Sequence, residues 1–223
     1  MRIVYPKDIV LESGNIAEAS DGYAQWSSAT SYSIGQRVYL TLADDGVTPI
    51  TPHKIYASLV NGNLNQYPGT AVTKWQDEGG TNRWKMFDEF IDTQSVNAEL
   101  IQATVDASNC DRFALFNLDA DEVEVTLIDN DVSVEGGYLM ISDVDFLLID
   151  DAGTFLGVDR PSVASWVYDT TGKQDLVGPI YLYNNAQLQL DIRKPGGIAK
   201  CGICLVGKSE EIGDTLGGFC VEN

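Results

Sequence analysis

Residues 122–129 read EVEVTLID, and the fold class follows from this short stretch. Acidic and apolar residues alternate, so Glu122 and Glu124 fall on one face of an extended chain and Val123 and Val125 on the other, as in a half-buried β-strand. Runs of the same kind lie on both sides: RFALFNL (112–118) before it, then GYLMISDVDFLLID (137–150), SVASWVYD (162–169), IYLYNN (180–185), QLQLDI (187–192) and CGICLVG (201–207) after it. Upstream stand RIVY (2–5), QRVYLTL (36–42) and KIYASLV (54–60). Helical periodicity is nearly absent; VNAELIQATVDAS (96–108) reads equally well as helix or strand. About ten short strands separated by turn residues predict an all-β protein of sandwich or barrel type.

The 223 residues carry 14 Lys and Arg against 33 Asp and Glu, a net charge of −19. Such a balance repels a phosphate backbone, so nucleic acid is not an expected partner. No apolar run reaches the roughly 18 residues of a membrane span, so membrane insertion is not expected. The start MRIVYPKDIVLESGN lacks the long apolar stretch of a secretory leader, and the expectation is a soluble protein made in a cytoplasm. Residues 86–160 hold 18 of the 33 acids and only two basic residues, Arg112 and Arg160.

The four cysteines, Cys110, Cys201, Cys204 and Cys220, are uneven in spacing and are read as reduced thiols. Cys201 and Cys204 form a CxxC without a second one. In a single buried strand the two side chains would point to opposite faces, so core cysteines are favoured over a metal or redox pair. His53, the only histidine, sits beside Pro49 and Pro52 and reads as a solvated loop residue just before a strand. It has no evident nucleophile partner, and no catalytic residue is assigned. The acidic string LDADEVEVTLIDNDVSVEGG (118–137) lacks the calcium-loop spacing and reads as surface acidity. No cofactor and no metal are expected.

Three segments are expected: an arm and linker at 1–20, a small aromatic-rich β domain at 21–87, and a β-sandwich at 88–223, with Trp166 in its core. In the arm, Ile3, Val4, Tyr5 and Ile9 are candidate assembly residues, because an edge strand pairs equally well with its own sheet or with a neighbouring subunit. In the aromatic domain Trp26, Trp75 and Trp84 accompany Tyr23, Tyr32, Tyr39, Tyr56 and Tyr67. A core of about sixty residues can use two or three such rings, and any surplus becomes a surface platform. Trp84, beside Met86 and Phe87, is assigned to packing between domain and sandwich.

The runs AQWSSATSYSIGQRVYL, HKIYASLVNGN, YPG and TKWQDEG resemble the small chitin- and cellulose-binding modules appended to bacterial chitinases, matching at Trp26, Tyr32, Gly35, Val38, Tyr56, Ala57, Pro68 and Trp75. The resemblance implies that Trp26 and Tyr32 are mainly core and that Trp75 contributes to a sugar-binding face, with Tyr67, Asn65 and Gln76 as its candidate companions. Two features depart from that family: the insert LADDGVTPITP (42–52) between two strands, and the continuation into TNRWKMFDEFIDTQS (81–95). That continuation, followed by a β-rich segment ending CGICLVGKSEEIGDTLGG (201–218), is similar to structural proteins of tailed bacteriophages from the tail tip, baseplate or fibre region. It implies a virion component that forms a symmetric homo-oligomer, contacts other phage tail proteins and, through the module, host-surface glycans. A soluble carbohydrate-binding protein is the alternative, and a glycan hydrolase the third reading.

Overall fold

The computed structural model describes residues 2–88, 90–130, 137–140, 146–149, 155–159 and 163–211, and these are almost entirely β. Two antiparallel sheets form the sandwich. One runs in the order β1 (Arg2–Pro6), β18 (Ile203–Glu211), β10 (Arg112–Phe116), β16 (Leu176–Pro179). The other runs β15 (Val163–Asp169), β11 (Glu122–Asp129), β17 (Ala186–Cys201), β9 (Ser95–Asp106), β2 (Leu11–Gly14). Alternation drives the pairing. Val123, Val125 and Leu127 of β11 stand in register with Ile192, Leu190 and Leu188 of β17, and all six are fully buried. Phe113 and Leu115 of β10 face them from the other sheet in the same core, so each strand contributes every second residue. A small third sheet holds β12 (Gly137–Met140), β13 (Phe146–Ile149) and β14 (Phe155–Asp159).

The ambiguous segment 96–108 is strand as far as Asp106, inside β9 (Ser95–Asp106), and leaves the ladder at 107–108. IYLYNN is not: beyond Pro179 its backbone leaves the ladder, Ile180 N–H donating to Asp111 O and Tyr183 O accepting from Asn109 N–H, while Ile180 and Tyr183 fill the core. Trp166 is partly buried against the core, its ring 5.7 Å from that of Tyr181.

The arm is part of its own chain's sandwich. Ile3, Val4 and Tyr5 pair with Glu210, Ser209 and Lys208 of β18, and Ile9 packs against the core. The chain then crosses to the other sheet, where Leu11 pairs with Val105. Lys7 ties the crossing, its Nζ lying 2.5 Å from Asp106 and 3.1 Å from the Ser108 carbonyl. The arm thus pairs in cis with β18, and β1 forms an edge of that sheet.

Cys201 and Cys204 correct the expectation of one strand. Cys201 ends β17 and Cys204 lies in β18, so the chain passes from one sheet to the other at Gly202, where a Cβ would come 2.7 Å from Asn117 Cβ. Both thiols are fully buried, and burial pushes Cys204 up to about 12 and Cys201 well above its ordinary value. Cys110 is also free and buried, while Cys220 lies outside the described residues. Several of the acids at 118–137 meet cations: Asp119 meets Lys194 and Lys200, and Glu122 and Glu124 meet Arg193. Among the described residues no three His, Cys, Asp or Glu side chains converge as a metal site would require.

Between linker, module and sandwich lies a shared polar joint. His53 is not in a loop: it belongs to β6 (Pro49–Ser58), with its side chain only 16% exposed and Nδ1 2.9 Å from Glu18 Oε1. Arg83 Nε reaches the same oxygen at 3.4 Å, and the Thr81 hydroxyl donates to Glu18 Oε2 at 3.3 Å. Asn82 donates to Val96 O and accepts from Val96 N–H, which fixes the start of β9. Trp84 is buried between His53 and Phe87, as a packing residue at the junction should be, and Met86 enters the sandwich core.

Burial pushes the Glu18 carboxyl upward, but His53 at hydrogen-bonding distance, the charges of His53 and Arg83, and the Thr81 hydroxyl outweigh it and hold the group below the ordinary glutamate range. A carboxyl depressed on folding adds stability that is complete above its unfolded value and is lost as pH falls through the folded one. Thermal melts should therefore show the wild type losing more stability than Glu18→Gln between about pH 5 and pH 3.

Candidate functional site

The module is a four-stranded sheet ordered β3 (Ala24–Gln25), β5 (Arg37–Leu42), β6, β8 (Trp75–Gly80), with a two-stranded ribbon of β4 (Ser31–Tyr32) and β7 (Asn63–Leu64). In QRVYLTL the alternation sends Val38 and Leu40 inward. They meet Tyr32, Tyr56 and Trp75 in a separate small core. Gly35 and Gly62, both at positive φ, turn the chain before β5 and before β7.

Trp75, expected to contribute to a sugar-binding face, is instead a buried member of this core. It is 2% exposed, its ring meets Tyr32 edge to face at 5.2 Å, and its Nε1 donates to the Gln66 carbonyl at 2.9 Å. The cause is local: in TKWQDEGG it is the only large apolar residue of a strand that must bury one face, and Gln76, Asp77 and Glu78 all remain exposed. Asn63 adds a buried polar brace, donating to Ser58 Oγ and to Lys74 O.

The core leaves a different pair at its rim. Trp26 and Tyr67 are both half-buried, pack against the core from one side, and meet at 5.6 Å with planes 87° apart. Parallel pairing of Gln25 with Tyr39 and the bond from Trp26 N–H to Tyr39 O position the tryptophan. The tyrosine is held by YPG: a Cβ on Gly69 would fall 2.5 Å from Tyr67 Cε1, so only glycine allows the turn to close under the ring. Its hydroxyl donates to Leu42 O at 2.9 Å, at the root of the 42–52 insert. That insert extends the β5–β6 hairpin: Leu42 pairs with Pro49, Ala43 N–H donates to Thr48 O, and Ile50 packs on the module core.

Of the expected companions, Tyr67 lies at this rim, and exposed Asn65, at φ 52°, forms the turn two residues before it. Gln76 is not brought there, because the residue after Trp75 in β8 points to the opposite face of the sheet. Trp26, expected mainly in the core, is half-buried and packs against that core from its rim. Two exposed amides adjoin the pair in sequence, Gln25, which donates to Thr41 Oγ1 at 2.7 Å, and Gln66. The two rings stand nearly perpendicular, so each offers only its own exposed surface, and an exposed aromatic surface suits the apolar face of a pyranose.

No family model matches the chain. No curated protein matches it either. Among solved structures, the lectin domain of lectinolysin complexed with Lewis B antigen aligns with 59% of this chain and 86% of its own, at 11% identity and a TM-score of 0.34. An F5/8 type C domain from Bacteroides fragilis aligns with 58% of this chain and 82% of its own, at 7% identity and a TM-score of 0.35. CpGH89CBM32-6 from Clostridium perfringens covers 57% and 84%, at 14% identity and a TM-score of 0.27. The likeness is distant in both sequence and geometry.

The two tryptophans should separate in a stability measurement. Trp75→Ala should lower unfolding free energy by about 3–5 kcal/mol, as truncation of a fully buried aromatic does, and Trp26→Ala by about 1–2 kcal/mol. Denaturant titrations of both variants check this, and equal large losses would place Trp26 in the core as well.

Proposed function

We propose that this chain is a non-catalytic carbohydrate-binding protein that uses the Trp26–Tyr67 rim of the module as its sugar platform. The observation behind this reading is the division of aromatics: Tyr32, Tyr56 and Trp75 suffice for the small core, while Trp26 and Tyr67 remain half-exposed, with two amides adjoining them in sequence. A ring kept at the surface forgoes part of its burial energy, roughly 25 cal/mol for each Å² left in water, and a ligand can recover that energy. The resemblance of 23–87 to the modules of chitinases supports the same ligand class.

A structural component of a bacteriophage tail is the second reading, in which the module contacts host-surface glycans and the sandwich contacts copies of itself and other tail proteins. It is favoured by the stretch TNRWKMFDEF, where Asn82, Trp84 and Met86 join module to sandwich through fixed contacts instead of a free tether. Such a joint suits a protein that presents a binding module from a fixed place in an assembly. The virion setting and the symmetric oligomer belong to this reading alone.

Affinity electrophoresis against immobilised polysaccharides tests the first reading. The wild type should be retarded by at least one β-linked glycan, and Trp26→Ala should lose roughly tenfold or more in affinity while keeping its cooperative melt. Unchanged retardation of Trp26→Ala would remove the rim as the site.

A further inference from the structure

Asp191 is the one charged residue that is buried among the described residues, at 7% exposure, and it lies on the side of its strand that faces away from the core. Its neighbours Leu190 and Ile192 are core residues, so alternation puts Asp191 on the outer face of the five-stranded sheet, in register with Glu124 of β11 and Gln102 of β9. Side chains on that face cover it. Arg193 Nη2 lies 2.7 Å from Asp191 Oδ2, Gln102 Nε2 reaches the two carboxylate oxygens at 3.2 and 3.3 Å, and Gln189 Nε2 reaches Oδ1 at 3.4 Å. A buried ion pair adds little net stability, so a buried carboxylate at an outward position calls for another role.

That role is visible in the two glutamines. A carboxylate paired with arginine only accepts hydrogen bonds, so each amide turns its nitrogen toward Asp191, which leaves its carbonyl oxygen and one N–H for other partners. Both glutamines line a groove of about 320 Å³ on the same face, together with Thr104 and with Ser13, Gly14 and Asn15 at the end of β2. The wall from β2 is fixed as firmly. Asn15 accepts from Gln102 N–H at 2.8 Å and donates its side-chain amide to Leu100 O at 2.9 Å, and Gly14 sits so close that a Cβ would come 3.0 Å from Gln102 O.

The lining is thus amide, hydroxyl and backbone, and none of its side chains is charged. Oriented donors and acceptors without net charge match the hydroxyls of a sugar, each of which both gives and takes a hydrogen bond. We infer that this groove on the β2–β9–β17 face of the sandwich is a second saccharide site, with Gln102 and Gln189 in contact with sugar hydroxyls and Asp191 as the positioning residue that orients them. It is separate from the Trp26–Tyr67 rim and does not depend on it: the groove recognises a sugar through hydroxyls, where the rim offers ring surface.

The test is heteronuclear NMR of the labelled full chain, titrated with the methyl pyranosides of glucose, galactose and mannose and, separately, with an oligolysine. At least one sugar should shift the side-chain amide signals of Gln102 and Gln189 and the backbone amides of 13–15 and 102–104, and the shifts should saturate. Gln189→Ala should weaken that sugar about two- to tenfold, the loss expected for a hydrogen bond, and unchanged affinity would remove Gln189 from the site and overturn the inference. Asp191→Asn should keep a cooperative melt, move the two glutamine amide signals in the free protein and weaken the sugar to a similar degree; lowered stability with unchanged affinity would make Asp191 merely structural and overturn its positioning role. Trp26→Ala should leave binding at the groove unchanged, so that failure of the rim and failure of the groove read out separately. Sugar shifts confined to 24–26 and 65–71 would keep the rim and overturn the groove, and shifts at neither would overturn the groove outright. Oligolysine that moves the groove signals as strongly as the sugar, and loses its effect at about 0.5 M salt, would make the face a general cation surface and overturn the inference as well.

Discussion

Trp75 enters the module at the first residue of β8, its ring edge-on to Tyr32 and its indole nitrogen donating to the Gln66 carbonyl. Most of the module's surface depends on that placement. The bond to Gln66 draws the 63–69 segment toward the core, so Tyr67, one residue on, stands at the rim and its hydroxyl can reach Leu42 O. Trp26 then packs against Tyr67 from the side because the core beneath is already filled. An indole buried with its nitrogen satisfied is stable; buried without a partner it would lose about 1–3 kcal/mol to desolvation. One hydrogen bond thus helps decide which aromatics are core and which remain available.

Rigidity comes from the sandwich. The arm contributes a strand to each of its two sheets, and the linker's Glu18 binds β6 and the 81–83 turn together. A cavity of about 330 Å³ lies among Pro6, Ile9, Pro52, Trp84, Phe87 and Leu205, so arm, module and sandwich meet there without full packing. Ionic and hydrogen-bonded contacts carry much of the joint, and such contacts fix direction more than they add stability.

The strand pattern was legible because the sandwich buries every second residue, and EVEVTLID or QLQLDI can satisfy that demand in only one way. IYLYNN met the same pattern and is not strand, since beyond Pro179 its backbone bonds to Asn109 and Asp111 of the 107–111 turn. Cys201-Gly-Ile-Cys204 misled for a related reason: a period of two cannot reveal that the chain changes sheets at Gly202. The arm's pairing was open because an edge ladder has the same chemistry in cis and in trans. The site was the least legible part. Trp75, expected at a sugar-binding face, is buried, and Trp26, expected mainly in the core, is half-buried at its rim, because residue type and spacing identify an aromatic surplus but only packing identifies its members. His53 likewise read as a loop residue, since its burial depends on Glu18, thirty-five positions away in the chain.

The central claim is that the Trp26–Tyr67 rim, and not Trp75, receives the ligand. Heteronuclear NMR of the labelled chain during titration with a β-linked glucosamine oligomer tests it most directly. The account predicts progressive shifts of the Trp26 indole N–H and of amides at 24–26, 42–46 and 65–71, with the Trp75 indole N–H unmoved on its bond to Gln66. Shifts centred on Trp75 and β8, or confined to the sandwich with the rim silent, would contradict it.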